Sequence, residues 1–106
     1  MKRKHLLNCG IAGFTYYDGP VVFGQLQIGT PLRLVYEPEN RYDPDAIVLY
    51  FEEHKLGFIP RNENKTLSLF FEQGYGDIFE VYINRVSPDE HPENQVGVVV
   101  YVKERE

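Results

Sequence analysis

A single cysteine, Cys9, is all the chain offers for disulfide chemistry, which excludes an internal disulfide framework and suits a reducing compartment. No stretch approaches the roughly 20 apolar residues that a membrane span needs. The N-terminus runs from Lys2, Arg3 and Lys4 into strand-like sequence without an apolar signal segment, so a soluble cytoplasmic protein is expected. Positive charge is scarce as well: eleven Lys and Arg stand against sixteen Asp and Glu, a net charge of −5. A protein that grips a long run of phosphates carries a basic face, and the acidity argues against non-specific coating of duplexes. It leaves room for a protein that reads one strand end by stacking, because each base on an aromatic ring contributes roughly 1–3 kcal/mol. Missing too are a glycine-rich phosphate loop, a nucleophile elbow and a distinct pair of catalytic carboxylates; the expectation is a non-enzyme without cofactor. His5 and Cys9 share a strand face in regular alternation but would lie about 13 Å apart at the usual rise, too far for one metal ion, and His54 and His91 have no partner at ligand spacing.

What the chain does have is aromatic and apolar surface. Eight Tyr and seven Phe in 106 residues, with 42% hydrophobic residues overall, support one packed core and leave no room for a second. One domain over residues 1–106 is expected, with a basic tail at 1–5 and an acidic one at 104–106. Strand patterns are read at Leu6–Phe14, Thr30–Tyr36, Ala46–Phe51, Lys55–Ile59, Asp77–Val86 and Gln95–Lys103, the third and fourth joined as a hairpin. The stretch Val21–Ile28 is ambiguous. Helical spacing occurs once, from Asn62 to Gln73, with Leu67, Phe70 and Phe71 on one face, Asn62 or Asn64 as cap and Gly74 as stop. The two prolines and several acids of Ser87–Asn94 read as an exposed connection. About six strands and one interrupting helix predict a mainly β protein, a small OB-like or SH3-like barrel, because curling a sheet toward closure removes its unpaired edges.

Four short segments carry chemistry: Gly13-Phe14-Thr15-Tyr16-Tyr17-Asp18-Gly19, Leu32-Arg33-Leu34, Glu37-Pro38-Glu39-Asn40-Arg41-Tyr42-Asp43-Pro44-Asp45-Ala46-Ile47, and Gly57-Phe58-Ile59-Pro60. In this order they resemble the HIRAN family, whose members share a Tyr-Tyr-x-Gly turn, a Glu-Pro-x-Asn-x-Tyr-Asp-x-x-Ala-Ile block and a Gly-x-Ile-Pro segment. The resemblance implies a barrel that captures the 3′-hydroxyl end of single-stranded DNA. It also implies a helicase or nuclease acting in trans, and a monomer is expected. The family's pocket carries over to Tyr16, Tyr17, Asn40, Tyr42 and Asp43, with Arg61 as a basic phosphate contact.

The physical logic stands beside the resemblance. Loop tyrosines stack on unpaired bases, and an ionised carboxylate such as Asp43 accepts a terminal hydroxyl while repelling a phosphate in its place. Asn40 offers both donor and acceptor. Each residue also has a structural alternative. Tyr16 and Tyr17 could form a turn packed on the barrel, Asn40 and Asp43 could satisfy backbone N–H groups in Asx turns, and Phe58 could be core or ring platform. Two positions depart from the family pattern: Thr15 stands where better-studied members have arginine, and Glu39 where asparagine is frequent. The competing function is a peptide-binding barrel using the same aromatic loop; a third reading, a small hydrolase or nuclease, lacks any visible catalytic set. Convergence of basic residues around the Tyr16 and Tyr42 loops would favour nucleic acid; acids there would favour a peptide.

Overall fold

The computed structural model describes residues 2–104, so residues 105 and 106 of the expected acidic tail lie outside it. Six strands form one sheet: β1 (Arg3–Gly10), β2 (Pro31–Tyr36), β3 (Ile47–Phe51), β4 (His54–Phe58), β5 (Phe79–Val86) and β6 (Val96–Lys103). Their order is β1-β6-β5-β2-β3-β4, and every neighbouring pair is antiparallel. Period-two patterning gives the sheet one apolar face. Val81 and Ile83 of β5 and Val96, Val98 and Val100 of β6 turn inward and are buried, meeting Ile47 and Leu49 of β3 and Leu56 of β4 in one core. The sheet bends until its outer strands almost meet, and just past β1 the Ala12 N–H donates to the Phe58 carbonyl at 2.8 Å while the Phe58 N–H donates back at 2.9 Å. This pair of bonds ties the two ends of the curled, otherwise open sheet together at one point.

The strand at the N-terminus differs from expectation at both ends. Arg3, Lys4 and His5, expected in a tail, pair with Lys103, Val102 and Tyr101. The strand stops at Gly10 rather than Phe14, because Gly13 adopts φ 76° and the chain turns there, driving the Phe14 ring into the core at 1% exposure. The β1–β6 register shifts between His5 and Leu7. Such a bulge reverses the alternation: Leu6, Leu7 and Cys9 pack on the core, while His5 bonds Asn8 at 3.0 Å on the outside. His5 and Cys9 therefore do not share a face.

Two helices complete the barrel. The ambiguous stretch holds a single turn, α1 (Gly19–Val22), followed by a 3₁₀ turn at Phe23–Gln25, and these send Val22 and Leu26 into the core. The expected helix is α2 (Lys65–Glu72). Leu67 is fully buried and Phe71 packs on the core, but Phe70 is 38% exposed and touches Phe79 edge-on. Gly74, at φ 85°, ends the helix: its N–H bonds the Phe71 carbonyl and the Tyr75 N–H bonds that of Phe70, the paired bonds of a Schellman stop. No helix among the described residues is long and apolar enough to cross a membrane.

The bridge between the two ends of the sheet depends on one glycine. Gly57 is buried at φ 141°, and a Cβ there would collide with the Ala12 carbonyl oxygen and lie 2.8 Å from Ile11 Cγ2. Gly57→Ala is expected to cost about 2–4 kcal/mol in urea unfolding, since it adds backbone strain and pushes the closing strands apart. A loss under about 0.5 kcal/mol, the range of ordinary surface changes, would show that the bridge is not a constraint.

Candidate functional site

The segment between β2 and β3 has no ladder to satisfy its backbone, so its polar side chains do so. Asn40 Oδ1 accepts the N–H groups of Tyr42 at 2.9 Å and Asp43 at 3.1 Å, while its amide donates to Glu37 Oε1 at 3.1 Å. Asp43 Oδ1 accepts the Asp45 N–H at 2.9 Å, and Oδ2 accepts from Asn64 Nδ2 at 2.9 Å and lies 3.6 Å from Arg61 Nε. Asn64, 2% exposed at the start of α2, thus ties helix to loop instead of capping the helix with its side chain. Burial pushes the Asp43 carboxyl up, but the Asp45 N–H, the Asn64 amide and the Arg61 and Lys65 charges together outweigh it and hold the group below the usual carboxylate range. Arg61 Nη2 also donates to the Tyr42 carbonyl. The loop is tied at both ends by these bonds, and it presents the Tyr42 side chain outward at 78% exposure.

Opposite Tyr42 stands the wall made by barrel closure. Tyr17 meets Phe58 edge-on, with ring centroids 5.8 Å apart. Lys55 Nζ lies 4.3 Å from the Tyr17 ring centre and 4.7 Å from that of Phe58. Between the walls is an open groove of about 550 Å³, with Ala12, Ala46 and Ile59 also in its lining and Arg61 at one side. Tyr17, Asn40, Tyr42, Asp43, Phe58 and Arg61 all line it. Tyr16 does not, and is 82% exposed outside it. Lys55 was not anticipated; the sequence signal was its place on the outward side of a hairpin strand whose other end carries Phe58.

A family model described as the HIRAN domain matches residues 4–104. The chain belongs to the HIRAN domain family. HIRAN domains are, as a family, nucleic-acid-binding modules. A search of curated protein sequences found no match. Among solved structures, the fold is similar to the crystal structure of a protein from Lactobacillus plantarum, with a TM-score of 0.78 and 22% identity over 95% of each chain. It is also similar to the HIRAN domain of human HLTF, with a TM-score of 0.64 and 16% identity over 96% of this chain and 81% of that one.

Within this HIRAN domain the Tyr17 wall has a support that sequence reading missed. Glu93, in the connection expected to be merely exposed, reaches the turn before Tyr17 and accepts four donors. Oε1 takes the N–H groups of Gly13 at 2.6 Å and Phe14 at 3.1 Å; Oε2 takes the Thr15 N–H at 3.0 Å and hydroxyl at 2.9 Å. Thr15 is therefore committed to the carboxylate of a distant loop. Burial raises the Glu93 pKa, but the Thr15 backbone and hydroxyl bonds, with those of Gly13 and Phe14, overcome this and leave it lowered. No group of three or more His, Cys, Asp or Glu among the described residues is placed to hold a metal ion.

Both Asp43 and Glu93 have native pKa values below their ordinary ones, so on acidification the unfolded chain takes up protons first. The stability they contribute is fully present above the ordinary carboxylate range near pH ~4, and is lost as the pH falls through their depressed native values. Glu93→Gln should lower stability at neutral pH by about 1.5–3 kcal/mol, the worth of hydrogen bonds to a charged group, and should flatten the acid limb of the stability profile. Urea unfolding at a series of pH values measures both. An acid limb parallel to that of the unmutated protein would remove Glu93 from this role.

Proposed function

We propose that the groove between Tyr42 and the Tyr17–Phe58 wall holds the 3′-hydroxyl end of a single-stranded DNA. The observation that carries this reading is the convergence of Lys55 and Arg61 on three aromatic rings around one groove, in a chain whose net charge is −5. Arg41 adds a third cation 5.9 Å from the Tyr42 ring. A peptide-binding barrel of this acidity has no need to gather its few cations there.

In this reading Tyr42 and Tyr17 supply stacking faces for the last bases, and Lys55 and Arg61 meet the phosphates between them. Asp43 has two of its roughly four acceptor sites taken by Asp45 and Asn64 and keeps acceptor capacity for a terminal hydroxyl. Its low pKa keeps it ionised at neutral pH, so it attracts a hydroxyl proton and repels a terminal phosphate. Asn40, with its carbonyl spent on the loop, acts by fixing Tyr42 and Asp43.

Tyr42→Ala should weaken single-strand binding by about 1–3 kcal/mol with the melting temperature unchanged, since an exposed stacking face is lost and no core. Replacing the 3′-hydroxyl of the oligonucleotide by phosphate should cost the unmutated protein at least about tenfold in affinity, the equivalent of one charge-assisted hydrogen bond. Fluorescence anisotropy on matched oligonucleotides reads both. Equal binding to hydroxyl and phosphate ends would remove end recognition, and unchanged affinity in folded Tyr42→Ala would remove the groove.

A further inference from the structure

Residues directly opposite one another on neighbouring strands share a face, so register identifies what the outer surface of the barrel carries. Lys55 at the groove stands opposite Tyr50, and Tyr50 opposite Arg33. On the next strand Glu80 stands opposite Tyr101, which stands opposite His5. Between these runs, Pro31 opposes Tyr82 and Leu32 opposes Val81, so Arg33 continues toward the Glu80 position. One cross-strand row of charged and aromatic side chains thus leads from the groove to the far edge of the sheet.

The contacts along this row repeat one pattern. Arg33 lies 4.8 Å over the Tyr50 ring, and Arg3 lies 4.2 Å over Tyr101 and 5.0 Å over Tyr82. Glu80, the carboxylate among them, is 3.7 Å from Arg3 and accepts the Tyr82 hydroxyl at 3.2 Å, so its charge is compensated within the face. Lys103, opposite Arg3, has no acidic partner among the described residues. The surface therefore presents guanidinium planes and ring faces with a surplus of positive charge, on a protein that is acidic overall. Cations with stackable planes suit a phosphate backbone bearing unpaired bases.

We propose that the outer face of β2, β5, β6 and β1 is a track for the single strand leading away from the groove. The proposal rests on the groove reading given above and extends it to the part of the strand remote from the end. From β4 to β1 is five strand spacings, at least about 23 Å. A stacked strand, rising about 3.4 Å per nucleotide, needs about seven nucleotides to cross it.

The test is anisotropy with 3′-hydroxyl DNA of about four and about twelve nucleotides, lengths on either side of that crossing. The unmutated protein should bind the longer strand at least about tenfold more tightly. The logarithmic salt slope should steepen from about −1.4 for two phosphate contacts to about −3.5 when three more cations are engaged. Arg33→Glu and Lys103→Glu should each weaken the long strand about threefold or more and leave the short one unchanged. Lys103→Glu breaks no ion pair among the described residues, so it separates binding from folding, and melting temperatures check both variants.

Equal affinity for the two lengths, or equal loss on both from these variants, overturns the track and leaves the groove standing. Length-dependent binding that responds to Lys103→Glu but not to Tyr42→Ala or to a 3′-phosphate leaves the track and overturns the groove. Absence of binding to either strand overturns both. Concentration-dependent self-association abolished by Arg33→Glu, with DNA affinity unaffected, would make the face a contact between copies and end the proposal.

Discussion

The backbone bridge between Ala12 and Phe58 is the constraint on which the rest of the molecule depends. The strand order leaves β1 and β4 as the two edges of a strongly curled sheet, and these bonds bring the edges together where β1 has just ended. Closure sets the Tyr17 turn against Phe58 and Lys55 and brings both opposite the loop that carries Tyr42. It also explains why Gly57 is glycine, since the partner backbone fills the space a side chain would occupy. The groove is a consequence of how this bridge draws the two ends of the sheet together.

Around that bridge, the site is held by carboxylates used as internal ligands. Glu93 gathers the N–H groups of the Gly13–Thr15 turn, and Asp43 joins its own loop to Asn64 at the start of α2. Each is a long-range tie for a segment that lacks strand partners, and each uses the strength of an ionised acceptor bonded to N–H donors. Part of the acidity that argued against nucleic acid in the composition is thus bound internally, in Asp43, Asp45 and Glu93. Lys55 and Arg61 line the groove, and Lys55, Arg33 and Arg3 lie over aromatic rings.

The strands were legible because period-two patterns at Leu32 and Leu34 and at Phe79, Val81 and Ile83 need no distant information. The groove-lining residues Tyr17, Asn40, Tyr42, Asp43, Phe58 and Arg61 came from motif resemblance, and the structure brings all six around one groove. Tyr16 was carried over from the same Tyr-Tyr-x-Gly resemblance; it is 82% exposed and is not among the residues that line this groove. The end of β1 and the fold of Val21–Ile28 were misread or left open, because a positive φ at Gly13 and the burial of Val22 and Leu26 depend on the whole barrel.

By itself the sequence determined the fold class, the positions of most strands, the helix before Gly74 and the loop chemistry of residues 37–46, all of which rest on local alternation, capping and turn preferences. Tertiary structure alone decided that Glu93 supports the Tyr17 turn, that Lys55 joins the groove, and that His5 and Cys9 face opposite ways. It also decided that Arg3, Arg33 and their tyrosines lie on one surface. The physical reason is the same in each case. Strand register and a single bulge determine which side chains meet, and a carboxylate some eighty positions away in the chain leaves no local signature of the N–H groups it will accept.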